Sequence, residues 1–340
     1  MNVKHLLILC AAVFAVGCGS GNSRDEQANG SIKSVDAPKP GEEFKVALLT
    51  PGSVFDSGWN ALAYDGLQEI QKQMNATVTY KESKESDIPD DMRSYARHGY
   101  NLVFGHGFEY NKPAMKVAKD FPDTVFMTSS GGETAKNVGA FRFELEQGFY
   151  LAGYLAGLQT RTGVIGSVAV QNYPSIVSTL KAFEAGAKAS NPACKVLPPV
   201  YFGTEGDVTG AKQATERILA ERADIVIHQA NAAAQGVFDA CKEKNVLAFG
   251  SNADQNSNPS GVILGSAVII AKPAFLELAK QVKAKQFTGG IVKFGMDKGA
   301  IDFVLNPKLA DRVPVDQQQK LKTVAADIKS GKIVVPEDKF

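Results

Sequence analysis

Short apolar runs alternate with longer polar stretches along most of this chain. FKVALLT (44–50), ATVTYKE (76–82), LVFGHG (102–107) and TVFMTSS (124–130) are apolar or β-branched, and each is separated from the next by enough residues for a helix. A second series repeats the pattern with GVIGSVAV (163–170), KVLPPVYFG (195–203), DIVIHQA (224–230) and VLAFGSN (246–252). Such alternation predicts parallel sheets joined by crossover helices. Between the series, ELEQGFYLAGYLAG (144–157) predicts a helix with small residues spaced for close packing. Two tandem series predict an α/β protein of two lobes, each a doubly wound parallel sheet. The expected division is 44–145 plus about 262–290 for the first lobe and 146–258 plus about 291–335 for the second. Chain crossings are expected near 144–148, 256–272 and 288–297.

The start of the chain follows another pattern. Residues 1–18, MNVKHLLILCAAVFAVGC, have a basic start at Lys4 and His5, an apolar stretch from Leu6 to Val16 and a small residue before Cys18. This reads as a signal peptide, too short to span a bilayer as a stable helix. Ala15-Val16-Gly17-Cys18 resembles a bacterial lipobox, with Ala15 where leucine is usual, and makes Cys18 the expected lipidated residue. Cys10 follows Leu9, which is too large for a signal peptidase. Residues 19–43 are polar and glycine-rich with no apolar period, the composition of a flexible tether. The expected product is an exported body held at a membrane by its lipid anchor, facing the periplasm or the cell exterior.

Composition narrows the function of that body. The formal net charge is +1 and 44% of residues are hydrophobic, and neither a basic stripe nor a basic patch with interleaved aromatics points to nucleic acid. Cys194 and Cys241 remain in the body, either paired or as free buried thiols. His98, His106 and His228 have no metal-ligand spacing with other histidines or cysteines. There is no nucleophile elbow, no phosphate-binding loop and no dinucleotide fingerprint. His106 is the best candidate for acid–base work, yet a lone histidine in a glycine-rich loop more often forms a polar wall. The expectation is therefore a binding protein, not an enzyme, without cofactor or metal.

In doubly wound sheets ligands sit beyond the carboxyl ends of the strands. The loops there are TPGSVFDSGWN (50–60), GHGFEYN (105–111), QNYPS (171–175), QANAAAQG (229–236) and GSNADQN (250–256). They mix glycine, amide, carboxylate and aromatic residues, which suits a polar ligand carrying a ring. Trp59, the chain's one tryptophan, is expected to stack on that ring. Asp56 is expected to accept from its N–H groups or to cap the following helix, or both, and Asn60 to offer a donor and an acceptor. Gly107 would let a ligand approach the backbone. Phe108 and Tyr173 are candidate aromatic faces beside Asn172, with core packing the rival role for Phe108. Asn231 and Asn252 are candidate polar contacts, with Asp254 orienting Asn252 or closing its loop.

Several of these motifs, in this order, resemble the basic membrane protein (BMP) lipoproteins, substrate-binding components of ABC transporters that include purine nucleoside receptors. The resemblance runs from about Phe44 to Val304 and rests on FDSGWN (55–60), GHGF (105–108), FPDTVF (121–126), ELEQGFYLAGYLAG with TGVIGSV (162–168), and GSNADQ (250–255). It implies a type I periplasmic binding protein fold with a hinge, a purine nucleoside ligand and an ABC permease as partner. Two departures bear on the ligand. Thr204-Glu205-Gly206-Asp207 lacks the aromatic residue that many relatives carry there, and Asn252 replaces an aspartate suited to ribose hydroxyls. A free purine base or riboflavin is accordingly the alternative ligand. A ligand-sensing regulator of the same fold is less expected, because the chain starts with a leader where a DNA-binding helix-turn-helix would stand.

Overall fold

The structure is a computed structural model that describes residues 43–56, 58–204 and 206–338. The expected leader, Cys18 and all of the tether except Glu43 lie outside the described residues. The strands are β1 Lys45–Thr50, β2 Thr77–Glu82, β3 Leu102–Gly105, β4 Val125–Ser129, β5 Val138–Phe143, β6 Val164–Ala169, β7 Lys195–Val196, β8 Val200–Tyr201, β9 Ile225–Gln229, β10 Leu247–Asn252, β11 Ile263–Ile269, β12 Gly290–Phe294 and β13 Ile301–Leu305. They form a six-stranded sheet, β12-β5-β4-β3-β1-β2, and a seven-stranded one, β13-β11-β10-β9-β6-β7, with β8 also on β6. The first sheet is parallel throughout. In the second, β13 alone runs antiparallel, against β11. The two sheets share one winding, and in each the last strand arrives from the final third of the chain.

Alternate residues of the central strands feed opposite cores. Val46 and Leu48 of β1 pack towards helices Trp59–Met74 and Ala271–Lys283. Ala47 and Leu49 pack towards helices Ile88–Arg97 and Asn111–Val117. Both faces of the sheet are therefore dry, which is why β1 reads as a continuous apolar run. The second sheet is covered likewise, by helices Val208–Ala220 and Ala234–Glu243 on one face and Glu146–Gln159 and Pro174–Ser190 on the other. Cys194 and Cys241 are free, buried and in different cores.

Three chain segments cross between the sheets side by side. Phe143 leads into helix Glu146–Gln159, Ile269 leads into helix Ala271–Lys283, and Phe294 leads through Gly295–Ala300 to β13. Glu144 N donates to Phe294 O at 3.0 Å and Ile270 N to Ala300 O at 2.8 Å, so each crossing is bonded to its neighbour. The sequence expectation placed 262–290 in the first lobe and 291–335 in the second. Instead β11 belongs to the second sheet and β12 to the first. An apolar run reports that a strand is covered on both faces and not which sheet it joins. The expected strand 195–203 is broken into β7 and β8 around Pro198 and Pro199, which lack the N–H that a ladder requires.

Helices Glu146–Gln159 and Pro174–Ser190 meet backbone to backbone. A Cβ on Gly153 would collide with Phe183 O, and one on Gly186 with Tyr150 O. Gly186→Ala should therefore destabilise the body by about 1–3 kcal/mol, read as a lower urea midpoint. An unchanged midpoint would mean that the helices separate freely.

Candidate ligand-binding site

A cavity of about 790 Å³, counted out to its open mouth, lies where the carboxyl ends of the two sheets face each other. From the first sheet it is lined by Pro51 and Trp59 after β1, by Gly107, Phe108 and Glu109 after β3, and by Ser130 after β4. The first crossing adds Arg142, Phe143, Leu145 and Glu146. From the second come Val170, Tyr173, Ser175, Ile176 and Thr179 after β6, then Gln229, Asn231, Asn252 and Ile269 at the ends of β9, β10 and β11. The loops after β1 and β9 approach closely, since a Cβ on Gly58 would stand 3.5 Å from Asn231 Cα.

Trp59 opens helix Trp59–Met74 and is held by two neighbours, His106 and Phe143. Its indole stacks on the His106 imidazole at 3.9 Å and 20°, and meets Phe143 edge-on at 6.4 Å. His106 Nε2 lies 2.9 Å from Trp59 O and Nδ1 lies 3.2 Å from Ser129 Oγ. An Nε2–H tautomer satisfies both, donating to the carbonyl and accepting from the hydroxyl. Burial pushes the His106 pKa down to about 3, against the opposing pull of the Trp59 carbonyl. The ring is a neutral backing plate for the indole. His228 is likewise buried, with Nε2 3.0 Å from Gln255 Oε1, and burial lowers its pKa to about 4.

Asp56 fixes the turn that carries Trp59. Its Oδ1 accepts from Gly58 N at 2.9 Å and Ala61 N at 3.0 Å, and its Oδ2 from Asn60 N and Asn60 Nδ2, both at 3.0 Å. Both oxygens are thus taken up in capping the helix, and neither Asp56 nor the buried Asn60 lines the cavity. Of the two roles expected of Asp56, the cap is the one seen here, since the otherwise unpaired N–H groups of the helix start take up its carboxylate.

The opposite wall is built of amides. Asn252 Nδ2 donates to Asn231 Oδ1 at 3.0 Å and to Gln229 Oε1 at 3.4 Å, and Gln229 Nε2 donates to Thr179 Oγ1 at 3.2 Å. Asn231 and Asn252 have left-handed backbones, with φ of 44° and 66°, and Ser130 across the cavity has 60°. Non-glycine residues in that region concentrate at functional sites.

Among the residues singled out from the sequence, Trp59, Gly107, Phe108, Tyr173, Asn231 and Asn252 meet at the cavity, while Asn172 and Asp254 are exposed and do not line it. Asp254 accepts from Asn256 N at 3.0 Å, closing its own loop, so Asn252 is oriented by Gln229 and Asn231. Gln229, Thr179, Arg142 and Glu146 were missed. An arginine inside the apolar run VGAFRF, four residues before a glutamate, was the signal for the last two.

Residues 44–339 match the Bmp family, described as ABC transporter substrate-binding protein, PnrA-like. A transcriptional activator protein of Bacillus subtilis is 28% identical over 98% of this chain and 99% of that relative. A purine-binding protein of Brucella abortus is 25% identical over 86% of this chain and 83% of the relative. An ABC transporter solute-binding protein from Aeropyrum pernix superposes with a TM-score of 0.75 at 21% identity, over 87% of this chain and 94% of that one. The fold is the two-lobed type I periplasmic binding protein fold.

The two buried histidines set a pH dependence. Their folded pKa values lie below the unfolded value near 6.5, so as pH falls from there the unfolded chain binds protons that the folded one refuses, and stability is lost. His106→Gln should cost stability at neutral pH, yet the gap to wild type should shrink by about 2–3 kcal/mol between pH about 7 and about 4.5. Urea unfolding at both pH values reads this, and a constant gap would mean that His106 is charged in the fold.

Proposed function

The chain belongs to the family of PnrA-like ABC transporter substrate-binding proteins, and from that premise we propose that its cleft captures a purine compound, first of all a purine nucleoside. It is a solute-binding protein and not an enzyme, with a small molecule as ligand and a transporter permease as partner. The observation that carries the purine reading is the indole of Trp59, backed by a neutral imidazole and bounding a cavity whose far wall is a network of amides. A flat heterocycle stacks on such an indole for about 0.5–1.5 kcal/mol beyond its burial, and its polar edge matches amide donors and acceptors. The purine-binding relative in Brucella abortus supports the same chemistry.

In this reading Phe108 and Tyr173 flank the ring, Gly107 admits it close to the backbone, and Asn231 and Asn252 meet its polar atoms. Asp56 and Asn60 hold Trp59 in place, while Asn172 and Asp254 shape the loops beside Tyr173 and Asn252. Asn252 spends its nitrogen on Asn231 and Gln229, which leaves one acceptor oxygen where a carboxylate would offer two. That favours a free purine base or riboflavin as the alternative ligand. A ligand that touches both walls stabilises the closed form, and a permease reads the closure. Cys18 would anchor the exported protein in the membrane. A second reading, a ligand-sensing regulator, draws on the name of the Bacillus subtilis relative. It shares the capture step and differs in what reads the closure.

With a single tryptophan, fluorescence titration reports on the site directly. Inosine, guanosine or hypoxanthine should give saturable quenching. Asn252→Asp should raise the nucleoside-to-base affinity ratio by about tenfold, since a carboxylate accepts from both ribose hydroxyls. No saturable response to any purine compound removes the purine assignment and leaves the family membership standing.

A further inference from the structure

Arg142 is the one cation among the described residues that line the cavity, and it is 6% exposed. It is the penultimate residue of β5 at the first crossing, and Glu146, 3% exposed, opens the helix that follows. Arg142 Nη2 donates to Glu146 Oε1 at 3.1 Å, and Ser178 Oγ donates to the same oxygen at 2.6 Å. Asp338 closes the circuit, because its N donates to Ser178 Oγ at 2.9 Å and its O accepts from Arg142 Nη1 at 3.3 Å. The pair therefore sits in a ring of four residues drawn from the first sheet, helices Glu146–Gln159 and Pro174–Ser190, and the C-terminal segment. The guanidinium and the hydroxyl both donate to that one oxygen, at a helix N-terminus, and each of the three favours the carboxylate form. Burial pulls the Glu146 pKa up, while Ser178 and Arg142 act against it.

We propose that Glu146 is a specificity-determining residue: its carboxylate cancels the Arg142 guanidinium on the cavity wall, so that the site takes uncharged heteroaromatic ligands and refuses their anionic counterparts. This rests on the purine reading above. A cation paired at contact distance acts on a third group as a dipole, whose field decays faster than that of a charge. Glu109 adds a second carboxylate to the lining, so the formal lining charge is one cation against two anions. An anion entering the cavity gives up its hydration and meets no uncancelled positive charge in return. Neutral rings carry no such cost.

Calorimetric titration of the full chain at pH about 8 tests this with two pairs: guanosine against xanthosine, of similar shape but with a ring that is an anion there, and riboflavin against its monophosphate, which adds a group carrying a charge of about −2. Wild type should bind the neutral member at least about tenfold more tightly. Glu146→Gln keeps an acceptor for Ser178 and Arg142 while removing one negative charge from beside the guanidinium, and should narrow the gap by about tenfold through a gain for the anion. Guanosine binding by the variant shows that it is folded. If that variant does not fold, the double variant Arg142→Met/Glu146→Met, which removes the pair together, should keep the wild-type ratio even as both affinities fall. Equal wild-type affinity within a pair, an unchanged gap in a folded Glu146→Gln, or an altered ratio in the double variant overturns the proposal. If no neutral member binds wild type, the purine and flavin readings fall and this one with them. Neutral binding without discrimination overturns this one alone.

Discussion

Two main-chain hydrogen bonds, Glu144 N to Phe294 O and Ile270 N to Ala300 O, hold the three crossings in one bundle. The rest of the architecture depends on that bundle. Parallel strands gather their functional loops at one end of a sheet, and one sheet offers a ligand only one wall. Three bonded crossings make two such ends face each other across a fixed axis. Backbone bonds of this kind survive side-chain substitution, so the loops can vary in chemistry while the axis stays where it is.

Much of this was legible because period and burial leave marks in a sequence. The runs at 44–50, 102–107, 224–230 and 246–252 became buried strands, and the loops that follow them line the cavity. The failures have physical causes. Strand β5 was hidden because Arg142 interrupts its apolar run, and an arginine in a buried strand signals a partner that lies off the strand. The exchange of β11 and β12 between sheets escaped notice because apolar content carries no address. Of the two roles expected of Asp56, the cap is the one the fold displays. The N–H groups of the helix start are always present, and a ligand is present only at times.

His106 is a case in which the same residue supports two opposite readings. In the sequence it is the best acid–base candidate. In the fold its ring is sealed between an indole, a carbonyl and a hydroxyl, and burial keeps it uncharged across the physiological range. A group that neither takes nor gives a proton there serves through its shape. It backs Trp59 much as the amides bond one another, so both walls carry their own contacts before any ligand arrives, and such pre-organisation lowers the entropy lost on binding.

The two cysteines give the body a property that matters outside a cell. Cys194 and Cys241 lie in separate cores, and burial pushes the Cys241 thiol up to about 12 and raises that of Cys194 as well. Only the thiolate reacts readily with peroxide or exchanges with a disulfide. Once folded, the body presents almost no thiolate to its surroundings, and to an oxidant it behaves as a protein without cysteine.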